Sequence, residues 1–127
     1  MRLLLDTHVF LWFIARDPRL PPTWRDAITD PANVVFVSAA SIWEAVVKHA
    51  IGRLPMEEPP AAYLPLQRER HGLTSLPIDE ESVRLLADLP ALHKDPFDRI
   101  IVAQALQHDL TIVTADPVVR SYPVRAL

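Results

Sequence analysis

Four acidic residues stand where apolar runs end or where helical patterns begin. Asp6 follows the run Arg2 to Leu5, and Asp116 stands just past Leu110 to Thr114. Asp98 falls in the first turn of a helix opened by Asp95-Pro96, and Glu44 lies one or two turns into the helix after Val34 to Val37. Their neighbours are apolar: Leu5, Trp43 with Ala45, Phe97, and Ala115 with Pro117. Crowded carboxylates repel one another unless a cation joins them. Oxygen ligands without cysteine suit a hard cation, Mg²⁺ or Mn²⁺. Such a site activates water and stabilises a phosphoryl transition state. Ser38 and Thr114 end strands near the same edge, where their hydroxyls could bond a ligating carboxylate or simply cap. Lys48 and Arg53 follow Glu44, and Lys94 and Arg99 flank Asp95 and Asp98. These cations could neutralise phosphates beside the acids, or be solvated helix faces.

Each acid also has a purely structural reading. Ser41-Ile42-Trp43-Glu44 matches a capping box. Asp95-Pro96-Phe97-Asp98 reads as cap, first-position proline and an acid favoured by the helix dipole. Asp6 and Asp116 could each start a turn, and Thr7 could cap the helix after Asp6. Taken together, these readings leave unexplained why so many units carry a carboxylate near a strand end. The five histidines share no metal-ligand spacing and read as surface or cap residues. Trp12, Trp24 and Trp43 read as core or interface.

The elements that must position these acids alternate between short β-rich runs and longer helical patterns. Strands are expected at Arg2 to Leu5, Val34 to Val37, Leu73 to Leu76 and Leu110 to Thr114. A last edge strand is expected over Tyr122 to Val124. Helices are expected over Val9 to Ala15, Trp24 to Thr29, from Ser38 or Ser41 to Ile51, Leu66 to His71, Asp79 to Leu89, and Asp95 to about His108. Alternation of this kind predicts an α/β fold: a central parallel sheet of about five strands with helices on both faces. Ligands of such sheets bind beyond the carboxyl ends of the strands, where the acids fall.

Composition narrows the remaining choices. The 127 residues fit one domain, 1–127, at roughly 100–200 residues per domain. Half are hydrophobic, which excludes intrinsic disorder. The net charge of −3 argues against a broad basic nucleic-acid face, though not a local one. No cysteine is present, so disulfides, thiolate zinc sites and cysteine nucleophiles are excluded. The two glycines, Gly52 and Gly72, follow basic helix ends. They read as C-caps rather than parts of a phosphate loop. The apolar run Val9 to Ala15 is too short to span a membrane, and Asp6 and His8 interrupt a signal-like start. A cytoplasmic protein is the expectation.

At these residues the sequence resembles the PIN domain family, in particular the VapC-type toxins of bacterial toxin–antitoxin pairs. The resemblance is carried by Leu3-Leu4-Leu5-Asp6-Thr7-His8, Val37 to Glu44, Asp95 to Ala105, and Val113-Thr114-Ala115-Asp116, in the family's order. It implies a compact parallel sheet with helices on both faces and metal-dependent endoribonuclease activity. It carries metal ligation over to Asp6, Glu44, Asp98 and Asp116, with Asp95 as a supplementary acid. It further implies an RNA substrate, a homodimer and a cognate antitoxin protein. For the dimer, Trp12, Phe13 and Trp24 are the expected contacts. Asp109 stands where a glycine is common before the last core strand, and is expected to take a left-handed turn position. Rival readings are a housekeeping RNA-processing nuclease, a non-catalytic PIN-like module, and phosphoryl transfer through an aspartyl phosphate. The last is disfavoured because His8 stands where a phosphatase needs a second aspartate.

Overall fold

The structure is a computed structural model describing residues 1–127. Strands β1 (Arg2–Leu5), β2 (Val34–Ser38), β3 (Thr74–Leu76) and β4 (Thr111–Val113) form one sheet in the order β3-β2-β1-β4. All three pairings are parallel, with Leu3 opposite Val35 on one side and Thr111 on the other. Around the sheet lie α1 (Thr7–Ala15), α2 (Pro22–Thr29), α3 (Ala39–Ala50), α4 (Pro60–Arg70), α5 (Glu80–Leu85), α6 (Pro96–His108) and α7 (Pro117–Arg120). A 3₁₀ turn at Leu86–Asp88 extends α5.

The central strand explains the two-sided cover. Leu3, Leu4 and Leu5 are all fully buried, which a strand achieves only when both faces are packed. Because side chains alternate along a strand, Leu3 and Leu5 join Val35 and Val37 beneath Phe10 and Phe13 of α1 and Leu64 of α4. Leu4 instead joins Ile112 and the buried Ile100, Ile101 and Ala103 of α6. Helix α3 contributes Ala45 to the first core and Ala40 to the second.

The sheet has four strands rather than five. Tyr122 to Val124 forms no strand. Residues 125–127 instead run beside β4, with a single bridge between Ile112 and Ala126. The Ile112 N–H donates to the Arg125 carbonyl at 2.9 Å, and the Leu127 N–H donates to the Ile112 carbonyl at 2.8 Å. Pro123 has no N–H to continue a ladder, and Tyr122 is buried against the α6 core. Helix α4 begins at Pro60 and continues through Pro65. Burial of Leu64 in the first core offsets the hydrogen bond that a proline omits.

Other expectations hold. Gly52 and Gly72 have φ of 75° and 68°, just past the ends of α3 and α4, and Asp109 ends α6 at φ 55°. These left-handed positions stop the helices and turn the chain toward the next element. Asp79 caps α5 in a reciprocal box with Ser82.

A buried polar staple joins α6 to the carboxyl ends of β2 and β3. The Ser38 hydroxyl donates to Gln104 Oε1 at 2.6 Å, and Gln104 Nε2 donates to the Pro77 carbonyl at 3.1 Å. Gln104 and Ser38 are fully buried, so losing the amide strands the Ser38 hydroxyl proton in an apolar core. Gln104→Leu is expected to lower stability by about 1–3 kcal/mol, read as a lower urea midpoint at unchanged slope. An unchanged midpoint would contradict this role.

Candidate metal centre

In a parallel sheet every strand ends on the same side, so the residues that follow β1, β2 and β4 converge there. Asp6 follows β1 directly. Its N–H donates to the Val113 carbonyl at 3.1 Å, which extends the β1–β4 pairing and sets Asp6 beside Thr114. Asp6 Oδ1 accepts the Val9 N–H at 2.9 Å and caps α1, while Oδ2 accepts the Thr114 hydroxyl. Asp6, not Thr7, is therefore the α1 cap. The Thr7 hydroxyl donates to Ser41 Oγ at 3.0 Å and ties α1 to α3.

Ser38 rather than Ser41 caps α3, accepting the Ala40 N–H at 3.0 Å. The capping-box reading of Ser41 and Glu44 is thereby corrected. With the helix starting at Ala39, Glu44 lies in its second turn, beyond reach of the orphan N–H groups. The residue is 1% exposed. Oε2 pairs with Lys48, and Oε1 is buried with no hydrogen-bond partner. Burying a carboxylate oxygen unpartnered is costly, so Oε1 is left with an unmet demand for a donor or a cation.

Asp95 caps α6 through the Phe97 N–H at 2.9 Å, and Asp98 sits in the first turn, three residues on. Asp116 caps α7 through the Val118 N–H at 2.8 Å, and its own N–H donates to Thr114 Oγ1 at 3.0 Å. Asp98 and Asp116 are brought together by His93, which lies in the loop before α6. One carboxylate oxygen of each lies at 3.1 and 3.0 Å from His93 Nε2. His93 belongs to the cluster although its spacing in the chain matches no metal motif. The pointer available in the sequence was its place two residues before an Asp cap.

The charges explain one another. Asp98 is pushed up to about 7, first by burial, then by repulsion from Asp95 and Glu44; His93 pulls the other way. Burial also raises Asp6, against the opposing hydrogen bonds from Thr114 and the Val9 N–H. At Asp116 burial pushes upward, but the His93 and Val118 hydrogen bonds outweigh it and hold the carboxyl low. Burial works against the Lys48 ammonium, yet Glu44, Asp95 and Asp98 together raise its affinity for the proton. Lys48 is the one cation bonded to the cluster, and it faces several carboxylates. His93, Asp98 and Asp116 bring ligand atoms within 4.8 Å of one another, and with Asp6 and Glu44 at the same edge the oxygen-rich set, in excess of its counter-charge, suits a hard divalent cation.

The other expected participants divide. Thr114 bonds Asp6 and the Asp116 backbone, as a support of the acids should. Ser38 does not touch a carboxylate; its hydroxyl belongs to the Gln104 staple. Lys48 and Arg53 line a cleft of about 260 Å³ with Thr7, His8 and Glu44. Lys94 is exposed beside Asp95. The Arg99 Nη2 donates to the Leu86 carbonyl at 3.2 Å, with Nε buried, so it tethers α6 to the 3₁₀ turn.

Comparison with known proteins bears on the family and the fold. Residues 3–124 match the PIN domain family. Ribonuclease VapC22 of Mycobacterium tuberculosis is 31% identical over 122 residues, covering 94% of this chain and 90% of the relative. Ribonuclease VapC16 of the same organism is 38% identical over 55 residues, a segment spanning 39% of that relative's length. Among solved structures, VapBC2 from Rickettsia felis, bound to a DNA fragment from its promoter, superposes with a TM-score of 0.74 at 16% identity. It covers 100% of this chain and 98% of its own. FitAcB from Neisseria gonorrhoeae superposes with a TM-score of 0.65 at 23% identity, covering 98% and 96%. At those identities the superpositions speak to the fold. On the match to the family and to VapC22 along nearly its whole length, the chain belongs to the PIN domain family.

Proposed function

We propose that this protein is a Mg²⁺- or Mn²⁺-dependent endoribonuclease acting as the toxin of a toxin–antitoxin pair. The observation that carries the reading is the buried orphan Glu44 oxygen beside an under-neutralised set of carboxylates. The kinship with VapC22, itself a ribonuclease, supplies the substrate class. In this reading Asp6, Glu44, Asp98 and Asp116 hold the cation, and Asp95 adds negative charge next to Asp98. A divalent cation at this place supplies Lewis-acid polarisation of a phosphate and activation of water. The chain's own residues do the rest. Thr114 fixes the Asp6 carboxylate, the Val118 N–H fixes that of Asp116, and Lys48 orients Glu44. Lys48 and Arg53, on the cleft beside Glu44, and the exposed Lys94 form a small basic rim for RNA phosphates. A rim of that size suits recognition of RNA by shape, with little general affinity for nucleic acid.

The partners proposed are an RNA substrate, a cognate antitoxin protein and a second copy of the chain, all in the cytoplasm. No helix is long and apolar enough to cross a membrane. Phe13 is 4% exposed and belongs to the core, so a dimer contact through it is not available. Trp43, at 55% exposure and edge-on to Phe97 at 4.8 Å, is the tryptophan that most needs cover.

Asp6→Asn, Glu44→Gln, Asp98→Asn and Asp116→Asn are each expected to cut Mn²⁺-dependent RNA cleavage by about 100-fold or more, the scale of losing one preorganised charge contact. Circular dichroism should show the fold retained. Asp95→Asn should be milder, because asparagine still caps α6. A folded Asp98→Asn protein with undiminished cleavage would overturn that assignment.

Metal and pH are linked through Asp98. A carboxyl whose folded-state pKa is raised binds its proton more tightly in the native than in the unfolded chain. Its penalty is absent below the ordinary value of 3.8 and complete above about 7. The metal-free protein should therefore lose melting temperature as pH climbs through that window. Asp98→Asn should lose less and melt higher at neutral pH. Excess Mn²⁺ should restore the native chain by mass action, by roughly 2.7 kcal/mol at 100 times the dissociation constant. Identical melting in chelator and in Mn²⁺ at neutral pH would contradict the metal centre.

A further inference from the structure

His93 is held on every side. Its backbone N–H donates to Tyr122 Oη at 2.9 Å, and its Nδ1 accepts the Asp95 N–H at 3.1 Å. Tyr122 is buried and fixes the His93 backbone, while Asp95, held as the α6 cap, fixes its ring. Because Nδ1 accepts the Asp95 N–H, Nε2 is the ring nitrogen left to present an N–H to the carboxylates. That single N–H lies between Asp98 at 3.1 Å and Asp116 at 3.0 Å. Ring nitrogen and carboxylates lie within 4.8 Å of one another, a grouping that by position alone resembles a three-residue metal site. The proton argues otherwise. Ligation through Nε2 would require the proton to move to Nδ1, where the Asp95 N–H already points.

We infer that His93 is a positioning residue that occupies, with its Nε2–H, carboxylate oxygens a divalent cation would take, and so restrains metal loading. The inference rests on the metal-dependent reading above. In the metal-free chain the N–H gives two neighbouring carboxylates a shared donor, which lessens their repulsion. A cation drawn to the Oδ2 atoms of Asp98 and Asp116 competes with it for them. The affinity of the native centre is then lower than its carboxylates alone would give. Tyr122, from the far end of the chain, sets how firmly the ring competes.

The test is calorimetric titration of the full chain with Mn²⁺ at fixed neutral pH. His93→Ala is expected to bind about tenfold more tightly than the native chain, reflecting one lost hydrogen bond to a charged group. His93→Gln, whose amide N–H replaces Nε2–H, should return toward native affinity. Tyr122→Phe, which frees the anchor and leaves every acid in place, should tighten binding by a smaller factor and serves if His93→Ala does not fold. Nitrogen NMR of the imidazole in Mg²⁺ should show Nε2 still protonated. Equal or weaker binding by folded His93→Ala and Tyr122→Phe, or loss of the Nε2 proton on adding Mg²⁺, overturns the inference while the metal reading stands. Failure of the native chain and all variants to bind Mn²⁺ overturns both.

Discussion

Like charges gathered at one buried edge are the constraint on which this protein's design turns. A parallel sheet aligns the carboxyl ends of its strands, and here the segments following β1, β2 and β4, together with the start of α6, each deliver an acid to that edge. Burial and mutual repulsion raise Asp6 and Asp98, while Lys48 and His93 answer only part of the charge. Such an arrangement is unfavourable for the bare chain and favourable for one that holds a cation. The rest of the fold is a way of keeping the acids there regardless. Two packed cores clamp a central strand of three fully buried leucines, and Asp6 follows it immediately.

The structural and chemical readings of these acids are not alternatives. A carboxylate has two oxygens, and at the strand ends one is spent on the backbone while the other faces the cluster. Asp6 caps α1 with Oδ1 and offers Oδ2 to Thr114. Asp116 caps α7 with Oδ1 and offers Oδ2 to His93. Capping fixes the rotamer, which is what a preorganised ligand requires. Glu44 differs: it caps nothing, so Lys48 orients it and its second oxygen is left over.

Much of this was legible in the sequence for physical reasons. Runs such as Leu3-Leu4-Leu5 and Val34 to Val37 are readable as two-sided strands, and the acids that follow them inherit their place from parallel topology. Asp95-Pro96, Asp79 and Gly52 announce helix boundaries because their backbone requirements are local. What local pattern could not show was choice between equivalents and contact across the chain. Ser38 and Ser41 are equally good caps in sequence; in the fold the Ser38 hydroxyl takes the Ala40 N–H, while that of Ser41 accepts from Thr7. Arg99 stands next to Asp98 in sequence, yet helical geometry turns it toward the Leu86 carbonyl. His93 acquires its role from Tyr122 and Asp116, more than twenty residues away. The expected fifth strand reflected an apolar segment that packs as a tail instead.

The central claim is that the carboxyl edge is a cation site built from Asp6, Glu44, Asp98 and Asp116. The direct measurement is anomalous X-ray scattering from crystals of the full chain grown with Mn²⁺. The account predicts an anomalous peak at this edge within coordination distance of carboxylate oxygens from at least three of these residues, the otherwise orphaned Glu44 Oε1 among them. Crystals at saturating Mn²⁺ with no peak there, and Glu44 Oε1 still without a partner, would contradict it.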